Sequence, residues 1–182
     1  MTIRLSFAIF SGDSGSGLPI IKTGTSLPLT DLAIDSTLIN GSITRIMNFR
    51  DFVNTGIKID SIKSAKNIDQ FDIDSVIYIG SSIFWYYSKQ GMCEAQSIYF
   101  DKLSNIQFGR FLLNKSTSIE DLKKMFPLNC KNTEPMKLYR NDGIYQTCSV
   151  SVKDKKGQLW DMRIIFFLKG DRLFRIDFWE PM

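Results

Sequence analysis

The sequence predicts an α+β fold of two tandem helix-plus-antiparallel-sheet repeats, with the helices packed on one sheet face. The first reason is internal similarity at an offset of about seventy residues. "NFRDF" from Asn48 matches "SIEDL" from Ser118, and "DKLSNIQF" from Asp101 matches "DRLFRIDF" from Asp171. The second reason is that each copy contains one helical pattern followed by several strand patterns. Self-similarity at a fixed period is typical of a duplicated structural unit.

The similarity divides the chain into three segments. Residues 1–35 form an N-terminal arm rich in Gly, Ser and Pro, residues 36–113 form the first α+β repeat, and residues 114–182 form the second. The sequence leaves open whether the two repeats share one sheet and whether the arm covers a sheet face.

One helix is expected in each repeat. In the second repeat Thr117 or Ser118 caps a helix whose apolar positions recur at spacings of three and four, and Pro127 ends it. In the first repeat Asn48 is the cap and Gly56 the end. Strand patterns surround the helices at 38–47, 76–79, 83–87, 96–100, 105–113, 144–152, 159–168 and 173–179.

Alternation along these strands separates a core face from a second, mixed face. Trp160, Phe166 and Phe174 are expected on the core face, and Leu173 on the other. The mixed face is interpreted as a protein-binding face because aromatic residues and Arg among polar groups are typical of interfaces. Two simpler interpretations of the mixed face remain: it is exposed to solvent, or it is covered by residues 1–35. Its candidate partner-binding residues are Tyr99, Asn105, Gln107, Asp161, Arg163, Ile165, Phe167, Arg175, Asp177 and Trp179.

Two details of the strands belong to this prediction. Cross-strand ion pairs are expected between Asp161 and Arg175 and between Arg163 and Asp177. The aromatic run "IFWYY", 83–87, is interpreted as a strand buried on both faces rather than as a ligand platform.

Composition excludes several function classes. The chain has 23 basic and 19 acidic residues, a net charge of +4 and no histidine. The sequence contains no basic stripe of the kind that indicates nucleic-acid binding, and it contains no apolar segment long enough to span a membrane. The Cys, Asp and Glu residues do not have the spacing of a metal site, and the sequence contains no motif that predicts a bound cofactor.

The stretch "GDSGSGLPI", 12–20, raises the question of a catalytic serine. Its Ser14 resembles the nucleophile of chymotrypsin-like proteases, whose general base is a histidine. Because the chain has no histidine, we do not expect Ser14 to act as a nucleophile, and we predict that the protein is not an enzyme.

The three cysteines allow two interpretations. Cys130 and Cys148 flank a turn-rich stretch and are candidates for a disulfide, which would favour a periplasmic or secreted protein over a cytoplasmic one. The alternative is three buried thiols, with Cys93 among them.

In repeat length, element order and the position of Cys130 and Cys148, the chain resembles the β-lactamase inhibitor protein and its relatives. Bacterial immunity proteins, which block a toxin, are similar small domains. The resemblance implies a non-catalytic inhibitor or immunity protein that binds a toxin or enzyme through one face of its sheet. The alternatives are an envelope or assembly protein of bacteria and, less favoured, a hydrolase that works through carboxylates.

Overall fold

The computed structural model describes residues 31–33, 36–65, 73–138, 143–153 and 156–180. Their regular elements are mostly strands. In chain order they are β1 (Asp31–Ala33), β2 (Thr37–Ile39), β3 (Ile43–Thr44), β4 (Ile46–Asn48), α1 (Phe49–Asn54), β5 (Ser61–Ser64), β6 (Ser75–Ile79), β7 (Ser82–Tyr87), β8 (Met92–Tyr99), β9 (Asn105–Phe108), β10 (Phe111–Asn114), α2 (Ile119–Met125), β11 (Glu134–Lys137), β12 (Ile144–Lys153), β13 (Leu159–Lys169) and β14 (Arg172–Trp179).

A large sheet of ten described strands dominates the molecule. Its main order is β1-β12-β13-β14-β8-β7-β6-β5, with β11 also paired to β12 and β4 to β8. Strands β5 to β8 and strands β11 to β14 each follow one another as antiparallel neighbours. The two series meet where β14 pairs with β8, through the register Arg175–Tyr99, Ile176–Ile98 and Asp177–Ser97. We call this pairing the seam.

A second sheet of four strands, in the order β10-β9-β2-β3, covers one face of the large sheet. Phe108 of β9 contacts Phe166 and Phe178, with ring centroids 6.5 and 6.3 Å apart. Residues of both sheets form a single buried cluster. The covered face of the large sheet is therefore the core side, called here the inner face, and the opposite side is the outer face.

The two helices are short and pack against the same cluster. Ser118 and Asp121 form a reciprocal capping box at the start of α2, and the carboxylate of Asp121 accepts hydrogen bonds that lower its pKa. Just after this helix, Phe126 stacks on Phe166 at 5.6 Å. In α1, Phe52 packs edge-on against Phe84 at 5.1 Å. The helices thus fill the inner face beside the small sheet.

The predicted α+β fold class is wrong, because 56% of the described residues lie in strands and only 11% are helical. The protein is mostly β, with two sheets. The predicted strand 105–113 is a hairpin of β9 and β10 that turns at Gly109 (φ 55°), and the predicted strand 38–47 turns at Asn40 (φ 54°) and Gly41 (φ 74°). Left-handed conformations at these positions favour tight hairpins. The hairpins form the small sheet, which the interpretation as two equivalent repeats did not include.

The domain boundaries at 36–113 and 114–182 stay a prediction. Both ranges contribute strands to the large sheet, whereas the described small sheet uses strands from the first range and from β10 at the boundary. Of the N-terminal arm the structure describes 31–33, which pair in parallel with β12 and bury Leu32. Ser14 and the rest of "GDSGSGLPI" lie outside the described residues.

A β-bulge corrects the predicted faces of β14. The register shifts between Phe167 and Leu168, so that Phe167 pairs with Arg175 whereas Leu168 pairs with Leu173. Phe174 is the extra residue, which a bulge leaves unpaired. Leu173 is therefore buried on the inner face, whereas Phe174 packs on the outer face against Tyr99 and Tyr145.

A register shift in the pairing of β12 with β13 corrects the prediction for Trp160. The shift falls between Ser151 and Val152, where β13 leaves its regular alternation. Trp160 is exposed rather than part of the core.

A disulfide joins Cys130, which follows α2, to Cys148 in β12, with their Cα atoms 5.1 Å apart. Cys93 is a free, buried thiol on β8, and its burial raises its pKa to about 11. A thiol this buried and this weakly acidic reacts slowly with thiol reagents.

Thiol counting at pH 8 therefore has a definite expected result. The native protein should show no reactive thiol, the denatured unreduced protein one, and the denatured reduced protein three. The count is made with a chromogenic disulfide reagent, and intact mass after alkylation serves as the control. Three thiols without reduction would contradict the Cys130–Cys148 bond.

Candidate functional site

The outer face of the large sheet brings together seven of the ten residues predicted to bind a partner. Register places them in neighbouring rows: Arg163 faces Trp179, Ile165 faces Asp177, and Phe167 faces Arg175, which itself faces Tyr99 across the seam. Their alternation on the pleated strands puts all seven on one side. The group consists of Tyr99, Arg163, Ile165, Phe167, Arg175, Asp177 and Trp179.

Three predicted residues lie elsewhere. Asn105 and Gln107 belong to β9 of the small sheet, where their side chains donate to Ser104 Oγ at 2.9 Å and to the Gly109 carbonyl at 2.7 Å. Asp161 lines a depression with Arg45, Trp160 and Glu180. The interpretation of these three as part of the same face is therefore wrong. For Asn105 and Gln107 the reason is that alternation identifies a strand's outward side but not the sheet to which the strand belongs. Asp161 does belong to β13 of the large sheet, but the register shift between Ser151 and Val152 interrupts the alternation that would link it to Arg163.

The predicted ion pairs are also wrong. A two-residue turn pairs Lys169 with Arg172 and thereby fixes the register of β13 against β14. Asp161 and Arg163 then lie opposite neither Arg175 nor Asp177.

Arg175 instead forms the polar centre of the outer face with Asp177 of its own strand. Its Nε and one terminal nitrogen each donate to an oxygen of Asp177 at 2.6 Å, a bidentate geometry. The other terminal nitrogen donates to Tyr99 Oη at 2.6 Å. Ser97 Oγ accepts at 3.2 Å from the terminal nitrogen that also bonds Asp177. Burial alone would lower the pKa of Arg175. The hydrogen bonds to Asp177 and the negative charge of Asp177 outweigh this effect, so the pKa of Arg175 is raised. The seam is thus held by side chains as well as by the backbone.

Aromatic rings surround this guanidinium. It lies 5.1 Å from the centre of Tyr99 and 5.2 Å from the centre of Phe167, within the range of cation–π attraction. Phe167 is buried, and Phe174 packs against it and against Tyr99. Phe167 therefore supports the face from below, and little of its ring can contact another molecule.

Two adjoining clefts open on the outer face. The first has a volume of about 480 Å³ between β11, β12, β13 and β14, and Ile165 and Met136 are among the residues that line it. The second, about 420 Å³, runs over β7, β8 and β14. Asp177 and Trp179 line both. The second cleft is lined by Ile83, Trp85, Tyr87, Glu94, Gln96, Ser97, Asp177, Phe178, Trp179 and Glu180.

Sequence reasoning missed the part of the site that β7 and β11 contribute. The strand "IFWYY" has Phe84 buried on the inner face. On the outer face Trp85 and Tyr87 are half-buried: they pack against a small apolar cluster that includes Val76, and they also line the second cleft. Simple alternation from Ile83 to Tyr87 could have revealed this. Met136 belongs to a short strand, "EPMK", that carries no periodic signal.

An ion cluster closes the edge of the second cleft. The buried Arg45 donates to Glu94 at 2.5 Å and to Glu180 at 2.7 Å from the same terminal nitrogen. Tyr87 Oη donates to the other oxygen of Glu94 at 2.9 Å. Burial of Tyr87 and the neighbouring Glu94 charge raise the pKa of its phenol, so that Tyr87 stays a hydrogen-bond donor.

Comparison with family models, with curated proteins and with solved structures found no match. Within the described ranges, no cluster of three or more Cys, Asp or Glu side chains is placed to hold a metal ion. Over the same ranges no helix is both long and apolar enough to cross a membrane.

Proposed function

We propose that the protein is a non-catalytic binding module, an inhibitor or immunity protein that occludes a toxin or an enzyme with the outer face of its large sheet. The observation that carries the proposal is the pair of adjoining clefts that share Trp179 and Asp177. Exposed aromatic side chains at the centre of such a surface are typical of the residues that dominate protein–protein affinity.

The rigidity of the face supports the same function. Arg175 is fixed by Asp177, Tyr99 and Ser97, and Phe167 lies beneath it. A face that is already ordered loses little side-chain entropy on binding, which favours tight association.

Trp179 provides the test. Its side chain is 46% exposed between the two clefts, and Trp179→Ala is expected to weaken partner binding at least tenfold, that is by about 1.4 kcal/mol or more. Leu112→Ala is the control, because Leu112 is 55% exposed on the small sheet, away from the outer face. Both variants remove exposed apolar surface, one from the outer face and the other from the small sheet.

The experiment has two stages. The immobilised wild-type protein and the two variants are exposed to extract of the source cells, and retained proteins are quantified by mass spectrometry. A partner should be retained by the wild type and by Leu112→Ala but not by Trp179→Ala. The partner is then purified, its affinity is measured by calorimetry, and its toxic or enzymatic activity is assayed with increasing amounts of the protein.

The second stage distinguishes inhibition from the alternative. Loss of the partner's activity at one-to-one stoichiometry supports an inhibitor or immunity protein. Tight binding with full activity would favour an envelope or assembly role instead. Equal retention by all three proteins would show that the outer face is not the binding surface.

A further inference from the structure

The second cleft combines carboxylates with aromatic side chains. Glu94, Asp177 and Glu180 line it together with Trp85, Tyr87 and Trp179, and none of its described lining residues is basic. This differs from the chain as a whole, which carries a net charge of +4. The cleft therefore has a chemistry of its own.

Two guanidinium groups bonded to the three carboxylates compensate their charge only in part. Arg175 is bonded to Asp177, and Arg45 alone serves both Glu94 and Glu180. Three negative charges against two positive charges leave one negative charge in this hydrogen-bonded cluster. The further cation on this face, Arg163, lies opposite Trp179 and lines the first cleft but not the second. In a partly desolvated cleft such a charge favours a cationic group from outside.

Glu180 is the carboxylate best placed to meet that group. Glu94 is largely buried, and both its oxygens already accept hydrogen bonds, from Arg45 and Tyr87. Glu180 is 58% exposed and accepts from Arg45 through one oxygen, Oε1. Its neighbour in sequence, Trp179, presents an exposed indole in the same cleft.

We propose that the second cleft accepts a lysine or arginine side chain of the partner protein, with the cation against the Glu180 carboxylate and the rings of Trp179 and Trp85. Carboxylate and indole together attract such a cation more strongly than either group alone. The chain uses the same chemistry elsewhere on this face, where Lys63 lies 5.1 Å from the ring centre of Tyr78. The inference rests on the proposed function and specifies its partner as a protein with a basic contact residue.

The test uses a small probe and no partner. N-acetyl-arginine amide is titrated into ¹⁵N-labelled protein, and N-acetyl-citrulline amide, which has the same shape without the charge, is titrated in parallel. The indole N–H signals of the three tryptophans are followed after assignment by single Trp→Phe substitutions. The arginine probe should shift the Trp85 and Trp179 signals saturably, with a dissociation constant on the order of 1 mM, as expected for a ligand this small.

Glu180→Gln should weaken the arginine probe about fivefold, because it removes the charge and keeps the shape. Glu120→Gln is the matched control, since Glu120 is also more than half exposed, at 66%, but lies on α2. Equal binding of the citrulline probe, no saturable shift, or equal effects of the two Glu→Gln variants would overturn the proposal. Tighter binding of tetramethylammonium than of the arginine probe would overturn it as well, by indicating a quaternary ammonium site.

Failure of the cation site and failure of the proposed function give different results. If the extract yields no Trp179-dependent partner, the probe titration can still succeed, and then only the inhibitor proposal fails. If a Trp179-dependent partner is found and the probe does not bind, only the cation site fails.

Discussion

Phe166→Ala is expected to lower the free energy of unfolding by about 4 kcal/mol. Phe166 is fully buried on the inner face of β13, where its ring contacts Phe126 at 5.6 Å and Phe108 at 6.5 Å. It therefore joins the large sheet, the small sheet and the end of α2. Removing the ring leaves a cavity between three elements that cannot all close on it, which is the condition for a large loss.

Urea unfolding followed by tryptophan fluorescence measures the loss, with the disulfide kept oxidised. Ile144→Ala is the control because Ile144 is exposed on the neighbouring strand β12, and its effect should stay within about 0.5 kcal/mol. A loss below about 1.5 kcal/mol for Phe166→Ala would mean that the small sheet and α2 do not pack on Phe166 as described.

Asp177→Asn is expected to destabilise the protein by about 2.5 kcal/mol. The side chains of Arg175 and Asp177 are only 17% and 16% exposed, and the substitution leaves the Arg175 charge without its bidentate partner. A fully buried pair would lose more, because the remaining exposure allows some water to solvate the guanidinium.

Asp171→Asn is the matched control. Asp171 lies 3.7 Å from Arg172, but both side chains are more than half exposed, so the loss should stay below about 0.5 kcal/mol. In the double variant Arg175→Met/Asp177→Asn, part of the stability should return, since no charge is then left unpaired. Equal losses for Asp171→Asn and Asp177→Asn would contradict the described network.

The sequence predicts which side chains share one face of a strand better than it predicts how the strands pair. Ile164, Phe166, Ile176 and Phe178 lie buried, as alternation predicts, because the side-chain period of a strand is a local property. The bulge at Phe167 and Leu168 and the register of β13 against β14 depend on the turn at Gly170 and on contacts across strands. Those determinants are not periodic, so the ion pairs and the orientation of Leu173 were predicted wrongly.

The candidate site was predicted in part for the same reason. Arg175, Asp177 and Trp179 share one strand, so their common face follows from alternation alone. Trp85 and Tyr87 join them only through the pairing of β8 with both β7 and β14, which links chain segments that are far apart in sequence. Asn105 and Gln107 lie away from the outer face because their strand, β9, pairs with β2 in the small sheet.

The seam between β8 and β14 has a consequence for when the protein can act. Each series of strands is formed by consecutive hairpins, whereas the seam joins residues about eighty positions apart and is entropically the more expensive contact to close. The second cleft takes residues from both sides of that pairing. A chain in which only one series has folded therefore lacks the site, and a partner that needs this cleft recognises the completed fold alone.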